Sequence, residues 1–219
     1  MTPITQQAHE LLTSLVSGRY AIDATAGNGH DTEFLAQLVG PTGTVWAFDI
    51  QAEALLRTAS RLRERSIPVE LRLSLASVGV TATPVETIEV PRPRVIGIEA
   101  SHAEIKVHLP ATCRGQVAAI MFNLGYLPGA DKSCITTTAS TRVALDAAIE
   151  FLAPGGVLTV VVYPGHPGGR EEATAVREWF TQQASDCTGE LLCEITPAIN
   201  PGPQLFALRR SGTGIESLE

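Results

Sequence analysis

"YAIDATAGNGHDTEFLAQLV", residues 20–39, runs from a short buried strand through a glycine-rich turn into a helix. Residues 20–23 are apolar up to a closing carboxylate, Asp23. Gly27 and Gly29 let the backbone turn tightly and approach a ligand. The helix that starts at Asp31 is stopped by the turn "GPTG" at 40–43. A second strand, "TVWAFDI" (44–50), and a helical stretch, "AEALLRTASRLRER" (52–65), repeat the pattern. Such a βαβ opening predicts a doubly wound α/β domain.

The rest of the chain extends that reading. Before the first strand, Ile4, Ala8, Leu11, Leu12 and Val16 have helical spacing. "RVIGIEAS" (94–101), "GQVAAIMFN" (115–123) and "VLTVVVYPG" (157–165) read as further core strands, with a weak helix at 102–109. Continuously apolar strands imply cover on both faces and hence a mostly parallel sheet. Helices are expected over 140–153, ended by Pro154 and Gly155, and over 169–185. Two closing strands, 191–198 and 204–210, flank the turn "NPGP" and read as antiparallel. Residues 66–93, rich in Val and Thr and broken by Pro84, Pro91 and Pro93, read as a β-rich hairpin or extended insertion. One domain is expected over 1–210, with 211–219 a disordered tail.

Bulk properties narrow the classes. The 219 residues carry a net charge of −7 and are 44% hydrophobic. A protein that grips long nucleic acid through many phosphates is usually basic, so any nucleic-acid partner should be held locally or by a dimer. The N-terminus lacks a signal-peptide pattern, and no apolar run approaches the ~20 residues of a membrane span. Cys113, Cys134, Cys187 and Cys193 form no C-x-x-C pair. Reduced thiols in a cytoplasmic protein follow, with no zinc knuckle or other metal site expected.

Ligands of a doubly wound sheet sit outside the carboxyl ends of its strands. At the first of these ends lies "DATAGNGHDT", with Asp23, Thr25, Gly27, Asn28, Gly29, His30, Asp31 and Thr32 as cofactor candidates. Asp49, followed by Ile50 and Gln51, closes the second strand 20 residues after Gly29, where a carboxylate can accept both ribose hydroxyls. Thr32 stands where a dinucleotide fingerprint requires its third glycine. The pattern D-x-x-x-G-x-G suits S-adenosylmethionine instead. That cofactor presents a cationic amine to an acidic group and has no phosphate to cradle. Ser101 and His102 follow the third core strand and are candidates near its base; His30 and His102 fit either a cofactor contact or a hydrogen-bonded loop role.

The fourth core strand ends on "NLGYLPG", residues 123–129. A buried strand has no need of a terminal amide. Asn123 and the Leu124 carbonyl can accept hydrogen bonds from an acceptor N–H and so orient its nitrogen for methyl transfer. Gly125 turns the chain, and Tyr126, with Leu127 and Pro128, can cover a ring or an alkyl arm. An alkylammonium, with an ordinary pKa near ~10.4, must lose a proton first, and His166 in "YPGHPGG" can relay it. His9 and His108 read as surface or packing residues. Arg57, Arg61 and Arg65 share a helix face that is either solvated or meets phosphate; Lys132 is the better phosphate candidate.

"DATAGNGHDTEFLA", "FNLGYLPGADKSCITT", "YPGHPGGREE" and "PAINPGPQLFALRR" together resemble a family of small bacterial methyltransferases first labelled rRNA methylases, over nearly the whole chain to about Arg210. The resemblance implies a class I methyltransferase fold with a seven-stranded sheet, S-adenosylmethionine as donor, and a homodimer. It also implies methylation of the aminomethyl group of 5-aminomethyl-2-thiouridine at the tRNA wobble position, with the anticodon arm as partner. Asn123, Tyr126 and His166 take the catalytic roles, and Asn123 also counts among the cofactor-binding residues. Leu124, Gly125, Tyr126, Leu127, Pro128, Lys132 and His166 meet the substrate. Ala26 stands where many members carry Cys, and Pro164 where many carry His. The rival readings are a methyltransferase for a small metabolic amine and a non-catalytic RNA-binding module.

Overall fold

Apolar strands alternating with amphipathic helices can bury every apolar face only in a central sheet covered on both sides. The computed structural model takes that arrangement; it describes residues 3–15, 18–74, 94–125, 136–165, 167–186, 188–195 and 202–212. The strands are β1 (Tyr20–Asp23), β2 (Thr44–Asp49), β3 (Val69–Arg72), β4 (Val95–Glu99), β5 (Val117–Asn123), β6 (Leu152–Val162), β7 (Gly189–Ile195) and β8 (Gln204–Arg210). The helices are α1 (Ile4–Leu15), α2 (His30–Val39), α3 (Ala52–Glu64), α4 (Ile105–His108), α5 (Thr138–Phe151) and α6 (Gly169–Ser185).

The eight strands are ordered β3-β4-β2-β1-β5-β6-β8-β7. All pairings are parallel except those of β8, which runs antiparallel to both neighbours. Alternating side chains divide the core between the two faces. Ile22, Phe48, Ile98, Phe122 and Val160 pack with residues of α4, α5 and α6. Ala21, Ala47, Val95, Met121 and Val161 pack with residues of α1, α2 and α3.

The sheet has one strand more than the seven expected. The extra strand is β3, which falls at the start of the segment read as a hairpin insertion. It adds to the edge in parallel, with Val69 opposite Val95 and Arg72 opposite Ile98. Its period of two explains the pairing: Val69 and Leu71 pack against the core on the α1, α2 and α3 face, while Glu70 and Arg72 form an ion pair outside. The rest of that segment, 75–93, and the tail from 213 lie outside the described residues.

The order reverses between β1 and β5: the chain leaves β1 toward β2 and β4 on one side, and β5 and β6 lie on the other. A crevice forms at such a switch point, beyond the strands' carboxyl ends. The carboxyl ends of β1, β2, β4, β5 and β6 all open there, through their last residues or those that follow. Among the described residues, no helix is long and apolar enough to cross a membrane.

Candidate active site

A cavity of about 630 Å³ opens at this switch point, within the usual range for small-molecule sites. Thr25, Gly27, Asn28, His30, Asp31, Asp49, Ile50, Gln51, Ser101, His102, Asn123, Leu124 and Gly125 all line it. Four separate strand ends therefore converge as the sequence pattern requires. Tyr126, Leu127, Pro128, Lys132 and His166 lie outside the described residues.

The glycine turn is tied to its neighbours at several points. Gly27 and Gly29 have positive φ, 53° and 79°. A Cβ on Gly29 would stand 2.9 Å from the Thr58 Cα of α3. The turn is thus pressed against that helix, and the Thr58 hydroxyl donates to the Gly27 carbonyl (3.2 Å). The arginine face of α3 serves the same turn. Arg61 donates from Nε to the Asn28 carbonyl (2.9 Å) and from its terminal nitrogens to Glu33 and to His30 Nε2. Arg57 pairs with Glu53, and Arg65 with Glu33. These guanidinium groups are engaged within the protein.

Asp49 acts from the end of β2. Its Oδ2 accepts the Gly27 N–H (2.9 Å) and its Oδ1 accepts the Gln51 N–H (2.9 Å). The Ile50 backbone N–H bonds the same carboxylate, which leaves acceptor capacity for a hydroxyl donor on the cavity side. Burial raises its pKa above the ordinary carboxylate value.

The structure departs from the sequence reading at Asp23, Gly29 and Thr32, which lie beneath the cavity rather than on its wall. Asp23 is fully buried and accepts from Thr32 Oγ1 (2.5 Å) and from the Thr25 amide (3.0 Å). Residues at the end of β1 alternate between the two sheet faces, and Asp23 turns into the space under α2. In place of Asp23, it is Asp31, in the first turn of α2 and 6% exposed, that joins Asp49 on the cavity wall.

Three residues from other parts of the fold converge on Asp31. His9 of α1 stands 2.7 Å from its Oδ1, with the imidazole stacked 3.9 Å over Phe34. Asn123 donates from Nδ2 to its Oδ2 (3.3 Å). Tyr163, after β6, lines the same cavity, and its hydroxyl pKa is raised by burial and by the Asp31 charge. A carboxylate accepts only, so the Asn123 amide must turn its NH2 toward Asp31. Its Oδ1 is left facing away, available as an acceptor. The Asn123 backbone N–H is fixed separately by Thr25 Oγ1 (2.8 Å).

His102 sits across the cavity at the end of β4. Ser101 caps the turn that carries it. The ring is 7% exposed and hydrogen-bonds the Ala24 backbone, while Nε2 has no hydrogen-bond partner among the described residues. A buried, unsatisfied imidazole nitrogen on a cavity wall fits a ligand that donates to it.

Burial, reinforced by the nearby Asp31 charge, pushes the Asp23 pKa up to about 7, against the Thr32 and Thr25 hydrogen bonds and with a smaller push from Asp49. The folded chain then holds a proton that the unfolded chain has released, so this group's stabilisation is lost as pH rises from about 4 to 7. His102 acts oppositely: burial pulls it down to about 4, and stability is lost as pH falls from 6.5 toward that value. Asp23→Asn should therefore gain stability relative to the parent between pH 5 and pH 8, by on the order of 1–3 kcal/mol. Denaturant unfolding of both proteins at the two pH values measures it; a difference that does not change with pH contradicts the assignment.

Sequence reasoning missed His9, Tyr163, Thr136, Ser140 and Pro203, of which the last four line the cavity. Tyr163, in "VVYPG", stands at a strand's carboxyl end and is legible there. His9 gives no local signal, because its contact depends on where α1 lands.

The family model described as "Putative rRNA methylase" matches residues 45–209. The chloroplastic tRNA (mnm(5)s(2)U34)-methyltransferase of Arabidopsis thaliana is 36% identical over 178 residues, 78% of this chain. The matched part is 57% of that relative's own length, so the chain spans little more than half of it. A "putative rRNA-methylase" of Clostridium thermocellum superposes with a TM-score of 0.76 at 31% identity, covering 96% of this chain and 98% of that one. A "putative methyltransferase" of Streptococcus mutans, solved in complex with SAH, has a TM-score of 0.72 at 28% identity, covering 96% and 99%.

Proposed function

The chain belongs to this rRNA methylase family, and from that premise we propose that it methylates the aminomethyl nitrogen of 5-aminomethyl-2-thiouridine at the tRNA wobble position, with S-adenosylmethionine as donor. Its doubly wound sheet is that of class I methyltransferases. The observation that carries the reading is the Asn123 amide at the tip of β5, held by Asp31 so that Oδ1 is free to accept. The tRNA target is supported by the name of the Arabidopsis relative.

The residues present fit the donor. Asp49 presents its carboxylate, with acceptor capacity to spare, to a ribose diol. His102 Nε2 offers an acceptor for an adenine amine, beside Ile50 and Gln51. Asp31 presents a carboxylate for a cationic amine. When bound, the donor supplies an electrophilic methyl group on a sulfonium.

The chain's own residues then do little beyond positioning. Asn123 Oδ1 and the Leu124 carbonyl accept from the acceptor nitrogen and aim its lone pair. An alkylammonium must first lose a proton, and Asp31, joined to part-exposed His9, offers that proton a route alongside His166. Tyr126 covers the acceptor's arm or ring, and Leu127, Pro128 and Lys132 extend that surface; these roles rest on the family resemblance. A cytoplasmic homodimer is part of the proposal, because two acidic subunits can hold one RNA arm between them; sedimentation measures the assembly.

Nucleoside mass analysis of tRNA from cells with and without the gene tests the function. The wobble nucleoside should gain one methyl group only when the protein is present. Unchanged tRNA, with donor binding intact by calorimetry, would favour a small-amine acceptor. No heat with the donor would leave a non-catalytic module.

A further inference from the structure

Glu172 lies in the first turn of α6, outside the cavity, yet is only 1% exposed. A buried carboxylate is costly unless its oxygens are hydrogen-bonded. Both are. Thr141 Oγ1, in the first turn of α5, donates to Oε1 (2.7 Å), and Thr136 Oγ1 donates to Oε2 (2.9 Å).

The Thr136 bond leads to the site. Thr136 lines the cavity, and its Oγ1 also accepts the Gly125 N–H (3.0 Å). The Thr136 N–H returns a bond to the Gly125 carbonyl (3.1 Å). A hydroxyl has one proton, and an ionised carboxylate can only accept it. Glu172 therefore fixes the Thr136 hydroxyl rotor, with a lone pair turned toward the Gly125 amide. Gly125 has φ 136°, a backbone state that other residues rarely adopt, and it follows Asn123 by two residues. Leu124, between them, is anchored by its N–H to the Val161 carbonyl (2.8 Å).

We propose that Glu172 and Thr136 are positioning residues for methyl transfer: the buried carboxylate, acting through the Thr136 hydroxyl, holds the backbone just after Asn123 in the geometry that presents the acceptor. Neither touches the donor's ribose or base contacts on β2 and β4. The inference deepens the proposed function and rests on it for its kinetic readout. Thr141 is the internal control, since its hydroxyl bonds the same carboxylate on the side away from Gly125.

The test compares Thr136→Val, Thr136→Ser, Glu172→Ala, Thr141→Val and the Thr136→Val/Glu172→Ala double variant. Methyl transfer to hypomodified tRNA, donor Kd by calorimetry and Gly125 amide exchange by NMR are measured on the full chain. Thr136→Val and Glu172→Ala should each lower kcat at least about tenfold, with donor Kd within about twofold. The double variant should be no worse than the poorer single by more than about threefold, because both act through one link. Thr136→Ser should recover to within about threefold of the parent, and Thr141→Val should stay within that margin. Gly125 exchange should quicken at least about tenfold in Thr136→Val, while Ile120 in mid-strand is unchanged.

Parental kcat and parental Gly125 protection in Thr136→Val overturn the inference. An equal kcat loss in Thr141→Val also overturns it, by reducing Glu172 to a general packing role. If Glu172→Ala fails to fold, Thr136→Val against Thr136→Ser still decides. If the parent itself transfers no methyl group to tRNA, the functional reading fails, and the Gly125 exchange comparison still tests the positioning.

Discussion

Replacing Asn123 with alanine is expected to lower kcat by on the order of 10²-fold while donor affinity stays within about threefold. Methyl transfer is a direct displacement, so its barrier responds steeply to the line between nucleophile and methyl carbon. Asn123 serves that line through one atom, Oδ1, whose direction follows from the Nδ2 bond to Asp31. Alanine removes the acceptor and leaves the backbone anchors intact: the Asn123 N–H still reaches Thr25 Oγ1, and the Leu124 N–H still reaches the Val161 carbonyl. The donor's proposed ribose and base contacts lie at the ends of other strands, and Asp31 keeps its His9 partner, so donor affinity should change far less than turnover. Single-turnover kinetics beside calorimetry separate the two quantities. Parental turnover in Asn123→Ala would remove the amide from the mechanism.

Asp49→Ala should do the reverse, weakening donor binding on the order of 10²-fold. Hydrogen bonds to a charged group contribute about 1.5–3 kcal/mol each, and the ribose diol would lose at least one. The loss also frees the Gly27 and Gln51 amides, which Asp49 now holds on either side of the cavity. The glycine turn keeps its Arg61 and Thr58 contacts, so the fold should survive. Calorimetric titration with the donor, alongside a thermal melt, reads the outcome. An unaltered Kd in a folded Asp49→Ala protein would place the nucleoside elsewhere.

Both predictions rest on residues that are legible in the sequence. Asp49 and Asn123 each end an apolar strand on a polar side chain, and a parallel sheet collects such ends on one edge. Asp23 meets the same criterion and belongs under the floor of the site. The difference lies in the direction of the side chain: Asp23 turns beneath α2 to Thr32, while Asp31, in the first turn of that helix, looks into the cavity. The extra strand β3 is obscured for another reason. Four residues of alternating character inside a proline-broken segment suit a hairpin as well as a parallel edge, and only the docking of Val69 and Leu71 beside β4 distinguishes them.

By itself, the order of apolar strands and helices determined a doubly wound sheet, and the polar strand ends determined which edge carries chemistry, because both follow from local periodicity and chain topology. Only the tertiary structure decided which carboxylate faces the ligand, that His9 stands behind it, and that Glu172 reaches the β5 tip through Thr136. Those contacts join residues 22 and 36 positions apart. Their existence depends on how helices settle against the sheet, a matter of packing that no short window of sequence contains.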